Sequence, residues 1–285
     1  MNGLPLVSVL IPCYNSLKTI DRTLQSVLSQ TYTNIEVIIN DDCSTDDTYH
    51  FLTKHYGNNS RISLTQNPEN LGMCGNWNSL FAKAKGMYWL KLDADDIIAP
   101  YFIEKTVKKA METNADFTGS SYQFLDINKG EPSKVYIHQK MEEGFLDNPL
   151  ASIFIDYPFH LCFTLLKAEF VKKISSEYYF METEVGDAEF QIRAALFPGF
   201  KAYFIKEELG FYCFHGDNSS LTPLKQAKSF LYDVIKKHHQ CLDERLKDAF
   251  HHKMRTNFKQ YLKSMLLRRA PWDMKLLLTC LKFTY

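Results

Sequence analysis

The sequence carries no surplus of either charge. Its 33 Lys and Arg balance 33 Asp and Glu across 285 residues, which argues against a dedicated nucleic-acid binder. No apolar run approaches the ~18 residues of a membrane-spanning helix. No basic stretch followed by a long apolar one opens the chain, so no signal peptide is expected. The seven cysteines (Cys13, Cys43, Cys74, Cys162, Cys213, Cys241 and Cys280) include no C-x-x-C pair. An odd, scattered set reads as reduced thiols of a cytosolic protein rather than a disulfide framework. Gly72-x-x-Gly75 lacks the third glycine of a dinucleotide fingerprint. The pairs His238-His239 and His251-His252, even with Cys241, lack the spacing of a zinc site. There is no internal repeat and no low-complexity segment.

What is present is a globular composition, 45% hydrophobic and 23% charged, in a chain long enough to bury a large core. Aromatics make up 14%. The balanced charge hides an asymmetry: residues 221–285 hold 14 Lys and Arg against 5 Asp and Glu. An acidic body with a basic tail suggests two different jobs.

Residues 6–12 are a short apolar, β-branched run stopped by Pro12 and read as a buried strand. Asn15 or Ser16 can cap a helix in which Ile20, Leu24, Val27 and Leu28 recur at helical spacing. Residues 35–39 form a second strand running into Asn40-Asp41-Asp42, and 62–64 a weaker third. Residues 87–92 form a fourth, which runs into Asp93-Ala94-Asp95-Asp96. Helices are expected over 72–85 and after Pro100, and a strand over 116–124. Then come a long loop or hairpin over 126–150, a strand over 160–166, and a loop entering a helix with Asp187 near its start. A short strand over 201–205, a turn-rich stretch over 210–220 and basic helices after Pro223 complete the chain. Strands alternating with helices up to residue 125 imply an α/β fold with a parallel sheet and right-handed crossovers. Ligands of such sheets sit outside the carboxyl ends of the strands, where both acidic clusters fall.

Three carboxylates in the four residues Asp93–Asp96 repel one another and are costly to hold without donors or a cation. Hard divalent ions take oxygen ligands and complete their shells with substrate phosphates; a solvated acidic loop is the plain alternative. Asp42 at the neighbouring strand end is either part of a capping turn or an acceptor for a base N–H or a ribose hydroxyl.

Five segments together resemble the GT-A glycosyltransferases of family 2: residues 7–15, 24–32 and 38–46, Asn70-Leu71-Gly72 with Asn76 and Asn78, and Leu92–Asp96. The resemblance is strong over 6–125, patchy to about 220 and absent beyond. It implies a Rossmann-like GT-A domain over 1–220, a mostly parallel sheet flanked by helices. Residues 1–125 would be the nucleotide-sugar-binding half and 126–220 the acceptor-binding half, with a helical C-terminal extension over 221–285. It implies an inverting, metal-dependent transfer of a sugar from a nucleotide-diphospho-sugar, foremost a UDP-sugar, to an acceptor hydroxyl of a growing glycan such as a bacterial surface polysaccharide. Carried over by position, Pro12, Tyr14 and Asp42 would line the base and ribose pocket. Asp93 and Asp95, with Asp96 beside them, would meet the ribose and a Mn²⁺ or Mg²⁺ on the diphosphate. The metal ligand is either Asp95 or Asp96. His215, in His215-Gly216-Asp217-Asn218-Ser219-Ser220, would touch the metal or the diphosphate. The catalytic base would be Asp187 in Glu184-Val185-Gly186-Asp187, with Glu184 in reserve; Gly-Asp stands where Glu-Asp is commoner. The setting implied is cytoplasmic. The basic tail, with Trp272, Phe283 and Tyr285, either packs on the catalytic domain or lies on an anionic membrane.

Two readings compete. A nucleotidyltransferase or other phosphoryl-transfer enzyme would also use a D-x-D metal site, but residues 12–16 lack its Gly-rich basic phosphate loop. A binding module would keep the fold without turnover.

Overall fold

Strand β1 (Val7–Cys13) is buried along nearly its whole length, as befits the middle of a sheet covered on both faces. The computed structural model describes residues 3–134, 136–155, 158–175, 178–215, 230–235, 237–242, 244, 246 and 255. After β1 come α1 (Ile20–Leu28), β2 (Ile35–Asp41), α2 (Thr48–Tyr56), β3 (Ile62–Gln66), α3 (Gly72–Phe81), β4 (Tyr88–Lys91), β5 (Ile97–Ile98) and α4 (Phe102–Thr113). The second half holds β6 (Phe117–Asp126), β7 (Glu131–Lys134), α5 (Tyr136–Lys140), β8 (Gly144–Phe145), α6 (Pro149–Ile155), β9 (Thr164–Lys167), α7 (Ala168–Ile174), α8 (Gly186–Leu196) and β10 (Ala202–Phe214).

The sheet runs in the order β3-β2-β1-β4-β9-β6-β10-β5. Strands β3, β2, β1 and β4 are parallel. Strand β9 is antiparallel to both β4 and β6, and β10 runs parallel to β6. Alternation along each strand sorts side chains to two cores. Val7, Val9 and Ile11 join the cluster under α1, α2 and α4, while Leu10, Ile38 and Trp89 join the cluster under α3, α6, α7 and α8.

Three local expectations give way. Neither Asn15 nor Ser16 caps α1, whose N-cap is Thr19 without a side-chain bond. Asn15 instead adopts a left-handed φ of 50°, which Asn tolerates. Its Oδ1 accepts from the N–H groups of Thr45 (2.8 Å) and Asp46 (3.2 Å), tying together the loops after β1 and β2. Residues 210–214 are not turn but the end of β10, which runs past the predicted break through register shifts against β6 between Ile205 and Gly210; such bulges let a strand continue where its pattern falters. Residues 161–163 form a 3-10 turn, so the strand expected over 160–166 begins only at Thr164.

Part of the predicted helical tail falls within the described residues. Val234, Ile235, Leu242 and Leu246 are buried in the core cluster of α8, and Thr183 donates to Asp233 at 2.9 Å. Trp272, Phe283 and Tyr285 lie outside the described residues. Fully buried Glu189 on α8 fastens this segment: its carboxylate meets Arg193 (3.1 Å), Lys237 (3.4 Å) and His238 (3.0 Å). Burial alone would raise its pKa, but His238 and Arg193 outweigh that and hold it below the ordinary 4.5. A depressed acid contributes stability in full above its unfolded value, and loses it as pH falls through the folded one. Glu189→Ala is therefore expected to cost about 3–5 kcal/mol near neutral pH, as removing one partner of a buried pair does. The deficit should shrink below pH 4.5; denaturant melts at several pH values check both points.

Candidate active site

Because β1 lies between β2 and β4 in parallel register, the loops after these strands open on the same edge of the sheet. Asp41, the last residue of β2, accepts from Ser44 N in the following loop (3.0 Å) and from Gln66 Nε2 at the end of β3 (2.9 Å). Asp42, 2% exposed, accepts from Asn67 Nδ2 (2.7 Å) and Leu71 N (3.0 Å), both at Oδ1. Its Oδ2 takes no bond from the described residues. Pro12 is half-buried on β1, and Tyr14 just beyond it is exposed.

After β4 the three carboxylates part company. Asp93 Oδ1 accepts from Lys91 Nζ at 2.6 Å, and its Oδ2 from Cys162 Sγ at 3.0 Å. Burial works against the charge of both partners of the pair. The Lys91–Asp93 attraction wins, lifting Lys91 above its ordinary pKa and holding Asp93 below its own. Lys91 also lies 4.0 Å over the Trp77 ring. Asp95 faces His215, with Oδ2 and Nε2 at 2.9 Å, and its backbone carbonyl accepts from Arg22 Nη2 at 3.3 Å. Asp96 turns inward: it is 1% exposed, its Oδ1 accepts from Cys213 N at 3.0 Å, and its buried Oδ2 has no partner among the described residues. Burial, then acidic neighbours, push Asp95 and Asp96 up. Three carboxylates thus crowd one loop, and only Asp93 is paired with a lysine among the described residues.

Asp96, His160 and Cys162 also bring one potential ligand atom each to within 4.8 Å of one another. A thiol in the set suits softer ions better than Mg²⁺ or Mn²⁺. Asp95 with His215 is the donor pair better matched to a hard ion.

Asp187 lies in the first turn of α8, where its Oδ1 accepts from Ala188 N at 2.8 Å. Glu184 is exposed in the loop before it. That loop is anchored to α3: Asn78 Oδ1 accepts from Phe180 N at 2.8 Å, and its Nδ2 donates to Phe180 O at 2.9 Å. Gly186 permits the close approach, since a Cβ there would sit 2.5 Å from Cys74 Sγ and 3.6 Å from the Trp77 ring. Trp77 thus lies under Lys91 and beside the space that a side chain at position 186 would enter.

The family model described as Glycosyl transferase family 2 matches residues 8–171, more than half of the chain. The chain belongs to that family. This glycosyltransferase is 40% identical over 124 residues to the UDP-Glc:alpha-D-GlcNAc-diphosphoundecaprenol beta-1,3-glucosyltransferase WfaP of Escherichia coli, covering 42% of this chain and 47% of WfaP. It is 36% identical over 137 residues to the putative teichuronic acid biosynthesis glycosyltransferase TuaG of Bacillus subtilis, covering 48% of this chain and 54% of TuaG. It therefore spans about half the length of these relatives. It matches only 11% of the Pasteurella multocida hyaluronan synthase, with 39% identity over 39% of this chain. Its fold is that of S. aureus TarS 1-349, solved with UDP-GlcNAc (TM-score 0.65, 18% identity, 87% of this chain and 80% of that one). It is also that of the Pyrobaculum calidifontis mannosyltransferase PcManGT, solved with GDP-Man and Mn²⁺ (TM-score 0.63, 17% identity, 84% and 65%). The GT-A fold and the transferase class expected from the sequence hold.

Sequence reasoning passed over Lys91, Trp77, His160, Cys162 and Arg22, which surround the acidic cluster of the candidate site. One signal was available: a lysine in the apolar run of β4 needs a buried partner, and the adjacent acidic cluster supplies one.

Proposed function

We propose that the chain transfers a sugar from a UDP-sugar, with inversion, to an acceptor hydroxyl of a growing bacterial surface glycan. The observation that carries this reading is the acidic edge after β4, where Asp95 meets His215 two strands from Asp42. The donor and lipid-linked acceptor named for WfaP and the UDP-GlcNAc bound by TarS support it.

Asp42, with Pro12 and Tyr14, would take the uracil and ribose, its Oδ2 being free to accept. Asp93, fixed by Lys91 and Cys162, turns its remaining lone pairs to the ribose. Asp95 and His215 would hold a Mn²⁺ or Mg²⁺, which when bound neutralises charge developing on the leaving diphosphate. Asp96 braces the loop from behind through Cys213. Asp187, with Glu184 in reserve, takes the proton from the acceptor hydroxyl as its oxygen attacks the anomeric carbon. The leaving group departs from the opposite face, so one displacement inverts the configuration. Incubation with a panel of UDP-hexoses should release UDP with Mn²⁺ and much less with EDTA. Release of UMP and a sugar phosphate, or no release from any donor, contradicts the reading.

The same reading sets the enzyme in the cytoplasm, with its basic tail against anionic lipid at the inner membrane face. Among the described residues no helix is long and apolar enough to cross a membrane. Each basic residue near an anionic surface is worth about 1 kcal/mol, lost with salt. Sedimentation with phosphatidylglycerol vesicles should therefore be strong at low salt and weaker at high salt. Absence of binding at low salt removes the tail from that role.

A further inference from the structure

We infer that Asn40 is a positioning residue for nucleobase recognition: it turns the amide of Asn67 so that an N–H faces Asp42, and Lys83 sets the direction of the chain. This rests on the function proposed above, which gives the uracil to Asp42.

Asn40 occupies a core position. It lies on β2 in register with Pro12 of β1 and Thr65 of β3 and is fully buried. An amide there is costly unless it is satisfied, and both of its N–H groups and both oxygen lone pairs are used. Its Oδ1 accepts from Lys83 Nζ at 2.9 Å and from the Thr65 hydroxyl. Its Nδ2 donates to Asn67 Oδ1 at 2.9 Å and to Asn76 Oδ1 at 2.7 Å. Asn67 and Asn76 are buried as well. Asn67 Nδ2 donates in turn to Asp42 Oδ1 at 2.7 Å. Asn76 Nδ2 donates to the carbonyls of Cys13 (3.4 Å) and Asn40 (3.2 Å).

Chemistry fixes the order of donors and acceptors. An amide can be turned end for end, but an ammonium only donates. Lys83 also donates to Thr65 Oγ1 at 2.8 Å, which leaves that hydroxyl its own proton for Asn40. Both groups therefore demand the oxygen of Asn40. Its N–H groups must then face Asn67 and Asn76, which answer with their oxygens. Asn67 is left with an N–H for Asp42; turned the other way, it would set an amide oxygen against a carboxylate. Asp42 Oδ1 is taken by Asn67 and by Leu71 N, so Oδ2 is the acceptor held out for a base. Uracil carries an N–H at its N3 position where cytosine has a lone pair. A fixed acceptor therefore favours UDP over CDP.

The test measures UDP and CDP binding to the full chain by calorimetry, with Mn²⁺. Asn40→Asp is isosteric and keeps Lys83 as a partner, but it cannot donate to Asn67 and competes with Asp42 for the Asn67 N–H. UDP affinity should fall about tenfold, the size of one hydrogen bond, while CDP affinity stays within about twofold. In an Asp42→Ala background the same substitution should change UDP affinity by less than about twofold, because its effect passes through Asp42. Lys83→Met leaves Thr65 alone to orient Asn40 and should weaken UDP about threefold, whereas Lys83→Arg, which also only donates, should not. An equal fall for UDP and CDP, or the same fall with and without Asp42, makes the network a pin between α3 and the sheet and overturns the inference. If Asn40→Asp does not fold, the lysine variants decide: equal UDP affinity in Lys83→Met and Lys83→Arg overturns it. Wild-type UDP affinity in Asp42→Ala takes the base away from Asp42 and overturns the inference while the transferase reading stands. Failure of the wild type to bind UDP overturns that reading too.

Discussion

Asp187→Asn should bind UDP and Mn²⁺ like the wild type and yet transfer sugar about 10²–10⁴-fold more slowly, the usual worth of a general base. The amide is nearly isosteric and can still accept from Ala188 N, which now bonds Oδ1 at 2.8 Å, so α8 keeps its start. What is lost is the capacity to accept a proton from the attacking hydroxyl. Glu184 sits three residues earlier and exposed, and Glu184→Gln should cost far less. Stopped assays of transfer beside calorimetry of UDP check the split. Near-wild-type transfer by Asp187→Asn, with a collapse in Glu184→Gln, would move the role to Glu184.

Asp95→Ala should abolish the Mn²⁺ dependence of donor binding and reduce UDP release at least about a thousandfold, equivalent to the several kcal/mol a metal contributes. Asp95 repels Asp93 and Asp96, so its removal relieves charge, and the melting temperature should hold or rise. Asp96→Ala should behave differently. It strips Cys213 N of a buried acceptor, and an unsatisfied buried donor costs about 1–3 kcal/mol. Asp96→Ala should thus melt earlier, whatever it does to turnover. Mn²⁺ titrations monitored by electron paramagnetic resonance, beside thermal melts, separate the two. Full Mn²⁺ affinity in Asp95→Ala would shift the cation toward Asp96, His160 and Cys162.

Much of the fold is legible because β1, β2 and β4 are apolar runs buried on both faces, each ending in polar residues that announce the sheet edge. The end of β10 is not, because Glu207, Glu208 and Gly210 interrupt the pattern; pairing with the sequence-distant strands β6 and β5 keeps it a strand. The acidic cluster shows itself as three adjacent carboxylates, but adjacency says nothing of direction. The N–H of Cys213, supplied by a distant strand, is what turns Asp96 inward and leaves Asp95 to His215. Lys91–Asp93–Cys162 escaped for the same reason, since Cys162 lies 69 residues beyond Asp93. The start of α8 near Asp187 shows in the pattern, but its catalytic role is suggested by family resemblance alone. What fixes it, Asn78 and the missing side chain of Gly186, carries no local signal.

The central claim is a single displacement at the anomeric carbon, made by a hydroxyl that Asp187 deprotonates. Without acceptor, water takes the hydroxyl's place, and the released sugar records the stereochemistry. Proton NMR of the preferred UDP-α-hexose with enzyme and Mg²⁺ should show the β-anomer first, before mutarotation mixes the two. Initial appearance of the α-anomer would contradict the account.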